Sequence, residues 1–444
     1  MINLAALLGS KKLLYVFLGA ILFIVFISII LILGNVGQGT LDKATLEFWG
    51  VFDTRQNFAE VASGFQQIFP GIKINYRQFS FEDYEKALID ALAAGTGPDI
   101  FMVHNTWLAK HKDKMAAMPE KSGVVENYQF ITPADFQGQF VDVAYRDLVQ
   151  DSKIYALPLY VDTLAIFYNK DMFNTAGITR PPKDWEEFSQ DVGLLTKFDQ
   201  SGNIIQSGAS IGTARNINRS SDILAALMIQ NGTQMTNPTN TVASFTRTVN
   251  NQRVGENALE YYTDFANASK AVYAWNDQQH YSVDAFIEGK VAMMFNYSHQ
   301  IPIVRGRFER LNFAIAPLPQ FSDLDSKNYA NYWAVGVSGQ SKVQDASWRF
   351  LSYLTSKDGA MTYLKSVSRP SARRDIIDVQ KNDPSLGVFA TQALSARSWY
   401  QIDNNSIDQI LADMIDSVNS KKETVRAALR TAESKITTLM TRRP

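Results

Sequence analysis

At 444 residues the chain exceeds what one compact core sustains, so two or more domains are expected. Its 43 lysines and arginines nearly balance 44 aspartates and glutamates, and no long basic run stands out; that excludes the electrostatic footprint of a nucleic-acid binder. Cysteine is absent, which removes disulfides, thiolate zinc sites, iron–sulfur clusters and any lipid-modified cysteine, while aromatic residues reach 12%.

In chain order, Lys11 and Lys12 come first, followed by an uninterrupted apolar run from Leu13 to Leu33. Its length suits a bilayer core, which needs about 20 residues, and exceeds the roughly 7–15 apolar residues of a cleaved signal peptide. The exit, Gly34-Asn35-Val36-Gly37-Gln38-Gly39, carries no Ala-x-Ala site. The lysines mark the cytoplasmic side. The expected order is a cytoplasmic N-terminus over 1–12, a single-pass transmembrane signal-anchor over 13–34 and a linker over 35–42. Everything beyond lies on the extracytoplasmic side of the cell membrane. Cleavage near residues 34 to 39 is the alternative.

Residues 44–52 predict a strand, and Phe58, Val61, Ala62, Phe65 and Ile68 a helix closed by Pro70-Gly71. Ile72 to Tyr76 alternates as a second strand, Tyr84 to Ala94 forms a second amphipathic helix, and Asp99 to Val103 a third strand. Strand, helix, strand, helix, strand is the pattern of a mostly parallel, doubly wound sheet. The apolar run Ile100-Phe101-Met102-Val103 suits a strand covered on both faces, and ligands of such sheets sit beyond the carboxyl ends of the strands. Trp49 to Asp53 and His104 to Trp107 lie at two such ends, which makes them candidate site segments; ordinary core or rim aromatics are the alternative. Gly95-Thr96-Gly97 follows a helix rather than a strand, and with Pro98 it reads as a helix stop, not a dinucleotide loop.

A second α/β block opens at Tyr155 to Thr163 and continues into a strand over 164–169. Pro181-Pro182 stiffens a turn into a helix, with Asp184 as its N-cap. Residues 232–256, polar and rich in Asn and Thr, read as a surface loop or hairpin. Phe286 to Phe295 gives a helix end, a glycine stop and a buried strand. Phe313 to Ala316 gives another strand, and Ser406 to Met440 is largely helical. Tyr261-Tyr262 reads as a helix turn with one ring buried. His104 and His111, seven apart, lack an evident third ligand, so neither metal nor cofactor is expected. No G-x-S-x-G elbow occurs.

Several segments together resemble the extracellular solute-binding proteins of ABC importers, the carbohydrate-type family that includes maltose-binding protein. They are Leu46 to Trp49, Phe69 to Ile74, Ala94 to Asp99, Leu157 to Thr163, Tyr168 to Asp171, Pro182 to Phe188, Phe286 to Met294, Ala316 to Pro319 and Ser398 to Tyr400. Their order and spacing across residues 43–437 carry the match. The resemblance implies a two-lobed α/β fold of the type II periplasmic-binding-protein kind, with a hinge crossed three times. The first lobe would take 43–156 plus 336–381, and the second 157–332 plus 385–437. The crossings would fall near Leu157-Pro158, Tyr332-Trp333 and Asp383-Pro384. It further implies a carbohydrate ligand between the lobes, an ABC permease as partner, and no covalent chemistry.

Carried over by motif, the first-lobe ligand contacts would be Trp49, Asp53, Asn105 and Thr106, with Asp162 just past the first crossing. The second lobe would supply Asp222, Tyr297, His299 and Trp399, with Trp333 at the second crossing. Asn105, Thr106 and His299 depart from the residues of maltose-binding protein, so a maltodextrin site by copy is not implied. The residue types suit a sugar independently: flat aromatics meet its C–H faces, and carboxylates and amides its hydroxyl rim. Two rivals share these residues. A polyamine receptor would cage an ammonium with carboxylates and aromatics, and a glycoside hydrolase would oppose two carboxylates such as Asp53 and Asp162.

Overall fold

A computed structural model describes residues 43–322 and 324–441. The expected transmembrane segment over 13–34 lies outside the described residues, among which no helix is long and apolar enough to cross a membrane.

The chain builds two lobes, each around its own sheet. In the first, Ile72–Phe79, Ala44–Val51 and Ile100–His104 run parallel, side by side. Trp333–Ser338 then returns antiparallel along Ile100–His104, with Trp333 opposite His104, and also pairs with Met115–Ala116 and Ala156–Pro158. The second sheet has five strands in the order Lys197–Phe198, Ile204–Ala209, Val291–Asn296, Ala165–Asn169, Phe313–Ala316. Only Ile204–Ala209 and Val291–Asn296 are parallel there. The expected mostly parallel winding therefore holds for three strands and yields to mixed sheets elsewhere: Trp333–Ser338 re-enters the first lobe from the second, and Ala165–Asn169 runs against both of its neighbours.

Period decides the helices. In Arg55–Ile68, Phe58, Val61 and Phe65 face inward, and Asn57 Oδ1 accepts the Thr54 N–H at 2.8 Å across the first turn. Ser80 caps Phe81–Ala93, starting it three residues before the expected Tyr84; Tyr84, Leu88 and Leu92 fill its buried stripe. Gly95 ends that region in the left-handed conformation, φ 71°. Asp184 does cap Trp185–Leu195, accepting from Glu187 N at 2.8 Å. Tyr262 is buried and Tyr261 half-buried in Val254–Asp264.

Two separate apolar clusters form the cores. The chain leaves the first between Val161 and Leu164 and returns between Tyr329 and Ala330. After Ile377 it runs along the boundary: Phe389 packs into the second core, Ala390, Ala393 and Ala396 into the first, and Trp399 into the second again. At the boundary lies a small sheet, Ala396–Arg397, Asn328–Asn331 and Asp162–Thr163, drawing one strand from each passage.

Candidate functional site

A cavity of about 270 Å³ opens where the two cores face each other across that small sheet. One wall is aromatic. Trp333 begins its strand directly after the boundary, and its ring lies edge-on to Trp107 (5.2 Å), His104 (5.4 Å) and Phe52 (5.7 Å). Phe52 follows the strand Ala44–Val51 in the left-handed conformation, φ 64°, which holds its half-exposed ring against Phe81 at the mouth. Trp107, the residue preceding the short helix Leu108–His111, donates from Nε1 to Asn404 Oδ1 at 2.9 Å. Beside it Lys110 meets Asp403 at 3.1 Å and Glu85 at 2.8 Å. The Trp107–Asn404 and Lys110–Asp403 contacts join the first lobe to the start of Asn404–Asn419 in the second.

The rest of the lining is polar. Asp162 is buried, and its two oxygens accept from Ser298 N (2.9 Å), Ser298 Oγ (2.6 Å) and Thr163 N (2.9 Å). Burial pushes its carboxyl up to about 6, even though the Ser298 hydroxyl and Arg369 pull the other way. Asp222, in the first turn of Ser220–Gln230, accepts from the Tyr297 hydroxyl at 2.8 Å, and Asp408 accepts from Ser221 Oγ at 3.0 Å. Burial raises both carboxyls, and the repulsion between them raises Asp408 further. His104 bonds Thr106 Oγ1 (2.8 Å) and Asn331 Oδ1 (3.3 Å) through its two ring nitrogens. Burial pushes it down to about 4, so it is neutral at pH 7. His299 is held well below its ordinary value by burial and by Arg219 and Arg369. The wall thus offers neutral imidazoles, carboxyls and guanidinium groups beside flat rings.

Six of the ten candidates from the sequence line this cavity: Thr106, Asp162, Asp222, Tyr297, His299 and Trp333. Asn105 and Trp399 line an adjoining cavity of about 670 Å³, which shares Thr106 and Gln401 with the first. Asn105 is buried and joins Asp147 (3.2 Å) to the Tyr332 backbone. Trp399 packs edge-on to Phe245 at 5.9 Å in the second core. Trp49 and Asp53 line neither of these two cavities. Leu46 and Phe48 occupy the core face of their strand, so alternation sends Trp49 to the other face, against Phe79 (4.6 Å) and under Arg77 (5.1 Å). Asp53 turns inward to accept from the Tyr363 hydroxyl at 2.7 Å, and Phe52 takes its place at the opening.

Sequence reasoning missed Arg219, Arg369, Asp408, Tyr160 and Phe52 in this lining. Phe52 and Tyr160 fall inside the flagged segments Trp49 to Asp53 and Leu157 to Thr163, whereas no local pattern marks Arg219, Arg369 or Asp408, which only the topology brings together. Among the described residues no group of three or more His, Asp or Glu is placed to hold a metal ion. His111 is instead buried against Glu85, 2.9 Å away.

Residues 53–361 match the model of the bacterial extracellular solute-binding proteins. Over 392 residues the chain is 23% identical to a putative binding protein of Brucella abortus, covering 85% of this chain and 88% of that one. Over 341 residues it is 23% identical to the maltotriose-binding protein of Pyrococcus abyssi, covering 74% and 66%. Its fold is similar to that of the cyclic α-maltosyl-1,6-maltose-binding protein of Arthrobacter globiformis, with a TM-score of 0.73, 18% identity and coverage of 90% and 99%. With the family match spanning well over half its length and two α/β lobes facing one cavity, the chain is a binding protein rather than an enzyme and belongs to the bacterial extracellular solute-binding protein family.

Proposed function

We propose that the chain binds a sugar or short oligosaccharide between its lobes and delivers it to the permease of an ABC importer. The supporting observation is the cavity between the two cores, whose lining combines the Trp333 aromatic group with hydrogen-bonding groups. A sugar ring presents apolar faces and a hydroxyl rim, and both find partners there. The maltotriose and cyclic maltosyl-maltose named for two of its relatives favour the same class. The expected lobes, 43–156 plus 336–381 and 157–332 plus 385–437, would close about three crossings in the manner of hinged binding proteins, with 157–161 and 330–332 packed on the first core at the boundary. Thr106, Asp162, Asp222, Tyr297, His299 and Trp333 would touch the first sugar ring. Asn105 and Trp399 would meet further rings in the adjoining cavity. Residues 13–34 would hold the chain at the membrane with both lobes outside. Arg219 and Arg369 in the lining weigh against a polyamine.

Thermal unfolding against a panel of mono- and oligosaccharides and polyamines tests this. A ligand at 100 times its dissociation constant stabilises by about 2.7 kcal/mol. A shift with sugars that are recovered unchanged supports the reading, and a shift with polyamines alone refutes it.

A further inference from the structure

Arg219 and Arg369 reach the same cavity from different lobes. Arg219 precedes the helix Ser220–Gln230 in the left-handed conformation, φ 67°, and Arg369 follows the helix Lys357–Val367. Each guanidinium lies over an aromatic face, Arg219 at 5.3 Å from Tyr297 and Arg369 at 5.4 Å from Tyr160. The Nε of each is shut off from solvent without a hydrogen-bond partner. Neither side chain donates a hydrogen bond to, or forms an ion pair with, any described residue.

Arg219 and Arg369 are half-buried, and a more deeply buried arginine, Arg373, spends its donors. Arg373 places Nε and Nη2 on Asp375, both at 3.0 Å, and Nη1 on Gln139 and the Thr355 carbonyl. Acceptors are not scarce around Arg219 and Arg369, yet they are used otherwise. Asp162 is occupied by Ser298 and Thr163, Asp222 by Tyr297, and Asp408 by Ser221. A guanidinium N–H left unpaired out of water is costly, and its planar fork fits an oxyanion with two parallel bonds. A neutral hydroxyl offers one oxygen and no charge.

We propose that the solute is an acidic sugar, whose carboxylate, sulfate or phosphate group seats between Arg219 and Arg369. This rests on the sugar reading above and narrows it. The lining donors that are free in the unliganded protein then become the selectivity element, while Trp333 and the carboxyls serve the ring.

The test is calorimetric titration of the full chain with matched pairs: glucose, galactose and mannose against their uronates, 6-phosphates and 6-sulfates, with spermidine as the non-sugar control. One acidic member should bind at least roughly tenfold tighter than its neutral counterpart, and high salt should weaken only the acidic member. Which acid wins distinguishes carboxylate, phosphate and sulfate. Arg369→Met and Arg219→Met should each remove that preference. Arg369→Lys keeps the charge and stem but loses the fork, and should reduce the preference even if the methionine variants fold poorly. Neutral sugars that bind as tightly as their acids, unaffected by either arginine, would overturn this inference and leave the sugar reading standing. Silence from every sugar here and from the oligosaccharides of the unfolding panel, with or without a response to spermidine, would sink both.

Discussion

Replacing Asn404 by alanine removes the acceptor of the Trp107 indole N–H, a 2.9 Å bond that crosses from one lobe to the other. Trp107 is only 3% exposed, packed against Trp333 and Tyr84, so its donor finds no other partner while the lobes stay together. Leaving a buried donor unpaired costs about 1–3 kcal/mol, whereas in a separated form water takes the place of Asn404. A loss of 1–2 kcal/mol shifts the closed-to-open ratio by a factor of roughly 5–30. Apparent affinity for a ligand that needs the closed form falls by up to the same factor. The neighbouring Lys110–Asp403 pair is partly exposed, 26% and 31% by side chain, so Lys110→Met should cost less, roughly 0.2–1 kcal/mol, and salt should mimic it. Titration calorimetry with a responding sugar, paired with small-angle scattering of the unliganded protein, reads both quantities. An Asn404→Ala protein with unchanged affinity and an unchanged scattering curve would refute the idea that this bond holds the lobes together.

Trp399→Ala should lower stability by about 3–5 kcal/mol as well as any affinity, because the ring is 7% exposed and fills the second core beside Phe245; denaturant unfolding that matched wild type would show that its packing carries no weight. Burial raises Asp162 from 3.8 to about 6. The folded state therefore takes up the proton first, and this stabilisation is present below pH 4 and lost as pH rises through 6. Two units amount to about 3 kcal/mol, so wild type should lose roughly that much relative to Asp162→Asn between pH 4 and 7 in denaturant titrations; a flat difference would refute it. Gly336→Ala should cost about 1–3 kcal/mol in thermal unfolding, since its Cβ would stand 2.1 Å from Met115 Cε and 3.1 Å from the Tyr155 carbonyl. Only the methionine can swing aside.

What the sequence made legible follows from local repetition. Phe58, Val61 and Phe65 announce a helix, and Asp184 before Trp185 announces a cap, because one neighbour or one turn suffices to produce each. The continuous run Ile100 to Val103 likewise reads as a doubly covered strand, and all four residues are buried. Its ending in His104, Asn105, Thr106 and Trp107 is explained by location: the strand stops where the small boundary sheet begins, and His104 reaches across to Asn331.

The site was legible only where a motif or a strand end pointed to it. Position at a strand end narrows the choice to two or three residues, and alternation then selects among them. That step removes Trp49 in favour of Phe52, and the left-handed turn at Phe52 has no signal in a phenylalanine. Arg219 and Arg369 are a harder case. Each sits in a polar stretch beside a helix end, where an arginine ordinarily stays in water and needs no partner. Their significance lies in lining one cavity together, each with an Nε shut off from water and unpaired, 150 positions apart in the chain, while the nearby carboxylates accept from other donors. Such a property belongs to the assembled cleft and to no segment of it. Motifs therefore led to the family, while the feature that would separate this chain's solute from those of its relatives rests on two unpaired guanidinium groups.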